Sequence, residues 1–411
     1  MFMWVRPATW AADLIQYDPD AYRFAQHGAT VIRETTEVFD FIVVGAGMAG
    51  ASLAAALAST ARVALIEAEQ HPGFHATGRS AALFAPNYGS PIFRALTRAS
   101  AAFLGSPPQS FSPRPLLRQR GALYIARADQ EERLQDTRRT AVGPLERLSV
   151  AGALAKVPAL RRDYVAAALY EPDVHDIDVA ALLQGFMRQG KALGVRWHPG
   201  VRCSAPAWQA NAWHVQASGE TLSAPVLVNA AGAWADELAV ACGAAPLGLR
   251  ALRRTAALID APQGVTVDDW PAVLDVDEQF YFKPDASRLL ISPAEEQLLP
   301  PGEVYADDLM VAVGIERIER ALDIEVRRVG HSWAGLRTFA PDRNPVIGFD
   351  TRVPALFWCA GQGGYGIQSA PACAQLAAAL AQGEAVPAAI AAQGVTAEAL
   401  SPARFTSPVA T

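Results

Sequence analysis

Lysine is almost absent from this sequence. Of its 35 basic residues only Lys156, Lys191 and Lys283 are lysines, and no block of Lys/Arg occurs anywhere in the 411 residues. A protein that grips a phosphate backbone needs such a block, and the net charge of −6 argues in the same direction, so nucleic acid is excluded as a partner. Cysteine is scarce as well. Cys203, Cys242, Cys359 and Cys373 stand far apart with no CxxC and no neighbouring histidine pair. That spacing predicts neither a metal site nor a disulfide framework and suits a reducing cytoplasm. Repeats and low-complexity tracts are missing too. Residues 1–37 carry Asp13, Asp18, Asp20 and Arg23 among aromatics, without a continuous apolar core, so they read as an extension and not as a secretory signal. The uncharged run Phe41–Ala61 reaches 21 residues, long enough for a membrane span, but three glycines break its first half. It reads as strand, turn and helix of a sheet, with no transmembrane segment.

What is present supports a large buried core: 51% of the residues are hydrophobic and 18% charged. Phe39–Val44 predicts a strand, Gly45–Gly50 a tight turn, Ala51–Ala58 a helix and Arg62–Ile66 a second strand, which together make a βαβ unit. Asp178 predicts the N-cap of a helix running to about Leu193. Strands are expected at Ala212–Ala217, Pro225–Ala230 and Leu356–Ala360, and the last leads through Gly361–Gly366 into a helix ending near Ala381. Gly121–Ala126 and the region Leu249–Pro293 read as an antiparallel sheet, whereas Gln297–Asp308 and the stretch after Gln382 read as surface connections.

The turn Gly45-Ala46-Gly47-Met48-Ala49-Gly50 has the spacing of a dinucleotide cradle, and Glu67 ends the next strand 17 residues past the last glycine. The first glycine makes the turn, the second lets a pyrophosphate approach backbone N–H groups at a positive helix end, and the third permits close helix–sheet packing. An acid at the position of Glu67 accepts from ribose hydroxyls. This motif alone does not separate NAD from FAD.

Three further motifs do: Gly78-Arg79-Ser80-Ala81-Ala82, then Val228-Asn229-Ala230-Ala231-Gly232-Ala233-Trp234, and Gly361-Gln362-Gly363-Gly364-Tyr365-Gly366-Ile367-Gln368. Together they resemble the D-amino-acid oxidase/sarcosine oxidase family of FAD flavoproteins, and within it the pattern is most similar to the D-arginine dehydrogenases. The resemblance runs from about Val38 to Phe405. It implies an α/β plus α+β fold: a Rossmann-like FAD-binding domain (residues 38–90, 176–240 and 328–385) interleaved with a substrate domain on an antiparallel sheet (91–175 and 241–327), and a tail over 386–411. It also implies that Glu67 and Ala68 hold the adenosine ribose, that Gly78, Arg79, Ser80, Ala81 and Ala82 pass the pyrophosphate and flavin, and that Val201 contacts adenine. Ala231, Gly232 and Trp234 are cofactor contacts in the same scheme, with Gly363, Gly364, Tyr365, Gly366, Ile367 and Gln368 at the flavin ring. Glycines before a helix aim N–H donors and a positive helix end at one point, which favours the negative charge of a reduced flavin. The sarcosine oxidases tether their flavin through a cysteine near the segment matching Arg337–Asp342. No cysteine stands there, so non-covalent FAD is expected.

For the substrate the resemblance implies that Arg254 and Arg337 grip a carboxylate, Tyr281 adds a hydroxyl, the Gly364 carbonyl holds the amine, and Tyr88 belongs to a mobile lid. Arginine suits the task because its planar fork binds a carboxylate through two parallel hydrogen bonds. Structural roles stay open for each: an ion pair of Arg337 with an acid such as Asp342, and a core position for Tyr281 in the Phe-Tyr-Phe run. The relatives carry a glutamate for the substrate's cation where Ala122 stands here, and polar residues where Leu83 and Ala85 stand. Only Glu278 matches an acid. The expected substrate is therefore a neutral, apolar or aromatic D-amino acid and not D-arginine, with oxygen or a quinone-type acceptor taking the electrons. Secondary amines such as sarcosine, glycine or proline are the alternative. A 2-hydroxy acid or a non-catalytic flavoprotein ranks behind them.

Overall fold

The computed structural model describes residues 36–204 and 206–405. Four short runs of β-branched and aromatic residues form the centre of a six-stranded sheet. Its order is Arg196–His198, Val63–Ile66, Phe41–Val44, Val226–Asn229, Leu356–Ala360 and Val346–Phe349. Every neighbouring pair is parallel except the last, which is antiparallel. Phe41–Val44 and Val63–Ile66 are buried at every position, as continuous apolar runs covered on both faces must be. One face is covered by the alanine-rich helix Met48–Leu57, which packs against Val179–Ala192 and Ala370–Ala381. Val43, Leu53, Leu57, Leu65 and Phe357 are fully buried here, each contributing roughly 1.5–3 kcal/mol relative to exposure. The Asp178 carboxylate caps its helix by accepting from Ala181 N at 2.8 Å, as the sequence predicts.

A larger sheet is built from Gln297–Leu298, Arg250–Asp260, Arg288–Ser292, Tyr281–Asp285, Ala272–Asp275, Ala122–Ala126, Ala167–Glu171 and Glu146–Leu148, with Val329–Phe339 paired along Arg250–Asp260. It is antiparallel throughout except where Ala272–Asp275 runs parallel to Ala122–Ala126. Alternation divides it into two faces. Phe280, Phe282, Ala257, Leu289 and Ile291 point into a core shared with the helix Asp308–Ala321. Arg254, Ala256, Tyr281 and Arg337 point the other way, into a cavity.

Four expectations change. Thr36–Val38, placed at the end of the extension, pairs in parallel with Glu220–Ala224 in a small sheet, because Val38 leads straight into the buried Phe39. The helix Pro91–Gly105, assigned to the substrate side, packs on Ala370–Ala381: Ala95 and Leu96 are buried in the same cluster as Leu53 and Leu376, and Ser100 Oγ accepts from Ala372 N at 3.1 Å. The stretch after Gln382 is not a mere surface connection, since Ile390 and Leu400 are buried against the main sheet and Ile347 N donates to the Leu400 carbonyl at 3.0 Å. Within Gln297–Asp308, Gln297 and Leu298 continue the larger sheet by pairing with Arg253 and Leu252. No helix among the described residues is long and apolar enough to cross a membrane.

Candidate active site

The glycine turn is fixed by close approach. Gly45 has φ +103° and an added Cβ would lie 2.4 Å from the Ala230 carbonyl oxygen, while one on Gly50 would lie 1.8 Å from the Gly45 oxygen. Gly47 differs: its nearest neighbour would be Thr77 Oγ1 at 3.5 Å. The space above it is therefore left for something other than protein. Gly47 caps the helix Met48–Leu57 without a side-chain bond, and no acid lies in the first turn, so the positive helix end faces an opening. Thr77 Oγ1 accepts from Met48 N at 2.9 Å. Glu67 is held at the strand end by Ala46 N on Oε2 (2.7 Å) and Glu69 N on Oε1 (3.0 Å).

That opening is one end of a cavity of about 410 Å³. From Glu67, Ala68, Val201 and Trp234 it runs past Gly45, Gly47, Met48 and Ala49, and then Arg79, Ser80, Ala81, Ala231 and Gly232. It reaches Gly363, Gly364, Gly366 and Ile367, and ends at Arg254, Tyr281 and Arg337. The N–H groups of Gly364, Gly366 and Ile367 donate to nothing within the described residues. The helix starts only at Ala370, so these donors belong to a turn, stabilised by Gly363 N on the Thr338 carbonyl and Ser369 N on the Tyr365 carbonyl, and not to the helix's own first turn. A helix end and a row of free amides at opposite parts of one chamber fit a long ligand carrying a pyrophosphate and an electron-accepting ring.

The substrate end is cationic. Arg254 is buried, with Nε donating to the Glu295 carbonyl at 2.9 Å and one terminal nitrogen to Glu296 Oε1 at 3.3 Å. Burial and the adjacent Arg337 both pull its pKa down, although a guanidinium remains charged throughout the stable range of a protein. Arg337 lies deep in the fold yet keeps part of its surface open, and its guanidinium presses against Gly364, where an added Cβ would be 2.8 Å from Cζ. Burial works to lower its pKa, but the nearby Tyr88 and Tyr281 outweigh it and favour the charged form. Arg337 forms no ion pair with Asp342, whose carboxylate accepts instead from Arg404 at 2.9 and 3.3 Å. Glu296 is shared with Arg343 at 2.8 and 3.0 Å; burial works to raise its pKa, but Arg343 and Arg254 hold it below the ordinary carboxylate range. Tyr281 is not a core residue, because its flanking Phe280 and Phe282 occupy the helix-facing side.

Other residues singled out by sequence lie off the cavity wall. Gly50 and Gly78 are packing glycines, the latter's Cβ position being 2.8 Å from the Gly73 oxygen. Ala82 is at φ +59°. Tyr365 packs with Phe93 and Phe339, and Gln368 is buried with Oε1 accepting from Ala85 N at 2.9 Å. Leu83, Ala85 and Ala122 do not line the cavity. They pack with Tyr124, Leu169 and Val276 in an apolar block against which Tyr88 also rests. Glu278 is exposed, at φ +56°, on the side of Tyr365.

Sequence reading missed Thr77 and Thr338, which line the cavity but belong to no motif with fixed spacing; Gln362, inside the last glycine motif but given no role there, lines it as well. His75 lines it too, satisfied by Glu69 Oε1 at 2.9 Å, with its ring 4.7 Å from that of Trp234 and tilted 55° to it. Two cysteines absent from the expected tether position are on the wall, Cys203 and Cys359. Burial pushes the Cys203 thiol up to about 12 and raises Cys359 further. Both stay protonated thiols, which are poor nucleophiles.

The family model described as FAD dependent oxidoreductase, DAO, matches residues 40–380. The chain belongs to the DAO family of FAD-dependent oxidoreductases, and its cofactor is FAD. It is 28% identical over 387 residues to the tRNA 5-methylaminomethyl-2-thiouridine biosynthesis bifunctional protein MnmC of Polaromonas naphthalenivorans, covering 84% of this chain. It spans 57% of that relative's length. In structure it is similar to glycine oxidase from Geobacillus kaustophilus (TM-score 0.74, 22% identity, 85% of this chain and 96% of that one) and to L-proline dehydrogenase from P. horikoshii (TM-score 0.73, 19% identity, 90% and 98%).

Proposed function

We propose that this protein oxidatively deaminates a free D-amino acid with a neutral, apolar or aromatic side chain, as a relative of the D-arginine dehydrogenases whose pocket has lost its preference for a cation. FAD supplies a two-electron acceptor for the hydrogen on the carbon bearing the amine. The resulting imine is hydrolysed to a 2-oxo acid and ammonia. The observation that carries the reading is the arginine-lined end of the cavity, where Arg337, which forms no ion pair among the described residues, lies with Arg254, Tyr281 and the Gly364 backbone.

Arg254 is already oriented by the Glu295 carbonyl and Glu296, which leaves its remaining donors free to share a substrate carboxylate with Arg337. The Tyr281 and Tyr88 hydroxyls complete the ring of donors. With the carboxylate fixed, the Cα–H direction is fixed as well, and positioning of this kind supplies most of the acceleration a side chain can offer here. No acid–base residue is needed where the amine reacts neutral, and the Gly364 carbonyl is placed to accept from it. A neutral side chain is supported by residue type: apolar Leu83, Ala85 and Ala122 stand where the resemblance places polar or acidic groups, in a block off the cavity wall against which Tyr88 rests.

The test is anaerobic mixing of the purified holoenzyme with a panel of D- and L-amino acids, sarcosine, glycine, proline and 2-hydroxy acids, following loss of oxidised-flavin absorbance near about 450 nm. Reduction by D-leucine or D-phenylalanine more efficiently than by D-arginine is the expected result. Reduction by sarcosine, glycine or proline alone would replace this reading with secondary-amine or glycine oxidation.

A further inference from the structure

Glu171 is 1% exposed and forms no ion pair among the described residues, an expensive position for a carboxylate that is not explained by packing. It faces Ala122 directly across the antiparallel pair, on the sheet face that carries Tyr281 and Tyr124. Three of its roughly four acceptor sites are taken, all by neutral donors. Oε2 accepts from the Tyr124 hydroxyl at 2.8 Å, and Oε1 accepts from Asn87 Nδ2 at 2.9 Å and Asn87 N at 3.3 Å. Asn87 Oδ1 in turn accepts from Val142 N at 2.7 Å and Gly143 N at 3.4 Å.

The next residue is Tyr88, whose hydroxyl lies near enough to Arg337 to favour its charged form and whose ring lies 5.0 Å from that of Tyr365. The segment around it is pinned on both sides: Ala85 N to Gln368 Oε1 at 2.9 Å before it, and Ser90 Oγ to Asn344 Oδ1 at 2.6 Å after it. Gly89, at φ +98°, fits against the Tyr365 ring where an added Cβ would be at 2.7 Å. Between the outer pins, the Asn87–Glu171 contact is the one that ties the segment to the substrate-facing sheet, and its acceptor is a buried carboxyl whose pKa burial raises against the bonds from Tyr124 and Asn87.

We propose that Glu171 is a positioning residue for the substrate carboxylate: through Asn87 it fixes the Tyr88 hydroxyl beside Arg337. Resting on the amino-acid reading above, this gives the buried carboxylate a task that needs no substrate cation.

The experiment compares wild-type holoenzyme with Glu171→Gln, Tyr88→Phe and the double variant. Glu171→Gln turns one acceptor oxygen into a donor amide. It is expected to raise the Kd for a neutral D-amino acid about tenfold, with the limiting rate of flavin reduction within about threefold of wild type. Tyr88→Phe gives a similar shift, and the double variant is no worse than Tyr88→Phe alone, since the two act on one contact. In the FAD-loaded protein without substrate, hydrogen exchange over residues 85–90 becomes about tenfold faster in Glu171→Gln. Additive losses in the double variant, or unchanged Kd and exchange, would overturn the assignment. So would a tenfold fall in D-lysine relative to D-leucine turnover, which would make Glu171 a reader of substrate charge. If Glu171→Gln does not fold, Asn87→Ala severs the same link and is expected to show the same signature. A wild type that no amino acid reduces would sink the proposed function alone, because the exchange measurement still judges the Glu171 contact.

Discussion

Replacing Arg337 by alanine removes the guanidinium that faces Gly364 and the end of the cavity, while Arg254 keeps its own anchors on Glu295 and Glu296. Two hydrogen bonds to a charged carboxylate contribute roughly 1.5–3 kcal/mol each, or about 3–6 kcal/mol together. Part of this is recovered, because Arg254 and Tyr281 still hold the carboxylate and water fills the space left by the side chain. A net loss of ~2–4 kcal/mol follows, which is about a 30- to 1000-fold fall in kcat/KM. Arg337→Lys keeps the charge but loses the fork, so its loss is expected at the lower end of that range. The assay is anaerobic stopped-flow reduction with D-leucine or D-phenylalanine, with FAD content measured in parallel. Unchanged kcat/KM in a folded, FAD-loaded Arg337→Ala enzyme would remove this arginine from the substrate site and with it the carboxylate-clamp argument.

Three further substitutions test other parts of the structure. Gly47→Ala meets only Thr77 Oγ1, at 3.5 Å, so the apoprotein should melt within about 2 °C of wild type while FAD retention drops on gel filtration; Gly45→Ala, 2.4 Å from a backbone oxygen at φ +103°, should fail to give soluble protein. Gly364→Ala pushes a Cβ to 2.8 Å from the Arg337 Cζ, so kcat/KM should fall at least about tenfold, with FAD still bound. Asp176 joins the buried Lys283 (2.7 Å) and Arg120 (2.6 and 2.8 Å), and Asp176→Asn leaves both cations without an anion, a loss of about 3–5 kcal/mol that a denaturant titration would read. Burial works to raise the Asp176 carboxyl, but Lys283 and Arg120 outweigh it and hold its pKa below the ordinary range. A carboxyl depressed on folding stabilises above its unfolded pKa of about 4 and loses that contribution as pH falls through its folded value, so acid sensitivity in that window should shrink in Asp176→Asn.

The nucleotide half was legible because its signals are local. Gly45–Gly50 must combine a positive φ with close backbone approach, Asp178 caps the helix that follows it, and Leu356–Ala360 is a buried strand at the predicted boundaries. Local signals do not say what packs on a surface element, which is why the helix Pro91–Gly105 was given to the wrong layer: its apolar stripe is clear, but its partner Ala370–Ala381 lies hundreds of residues away. Pairing direction is hidden for the same reason, and only the register of Ala272–Asp275 on Ala122–Ala126 reveals a parallel contact inside an otherwise antiparallel sheet. At the site, Arg254, Tyr281 and Arg337 converge as motif matching implies, whereas Ala122, Leu83 and Ala85 sit in a closed block behind Tyr88. Matching positions one by one gives residue type but not depth. Glu171 carried no sequence signal, since a single glutamate at the end of a short strand looks like any exposed one.

The charge distribution suits the arginine-lined end of the cavity to an anion even before a substrate is named. Arg254, Arg337 and Arg343 are gathered around one carboxylate, Glu296, which accepts hydrogen bonds from Arg254 and Arg343 and lies near Arg337 without bonding to it. The remaining nearby acids are already engaged: Asp342 by Arg404, Glu295 by Thr255 N at 2.7 Å and Arg253 at 3.7 Å. The hydroxyls of Tyr88 and Tyr281 solvate Arg337 without neutralising it. A guanidinium held this deeply without a counter-charge is costly, and the fold tolerates it because both arginines are fixed from behind, Arg254 by a carbonyl and a carboxylate and Arg337 by the Gly364 turn. The incoming carboxylate therefore meets donors that are already oriented, and little rearrangement has to accompany binding. The same turn exposes the amides of Gly364, Gly366 and Ile367 to the cavity. Anion binding at the clamp and charge acceptance at the turn are thus two surfaces of one short segment, and a change at Gly364 must be felt at both.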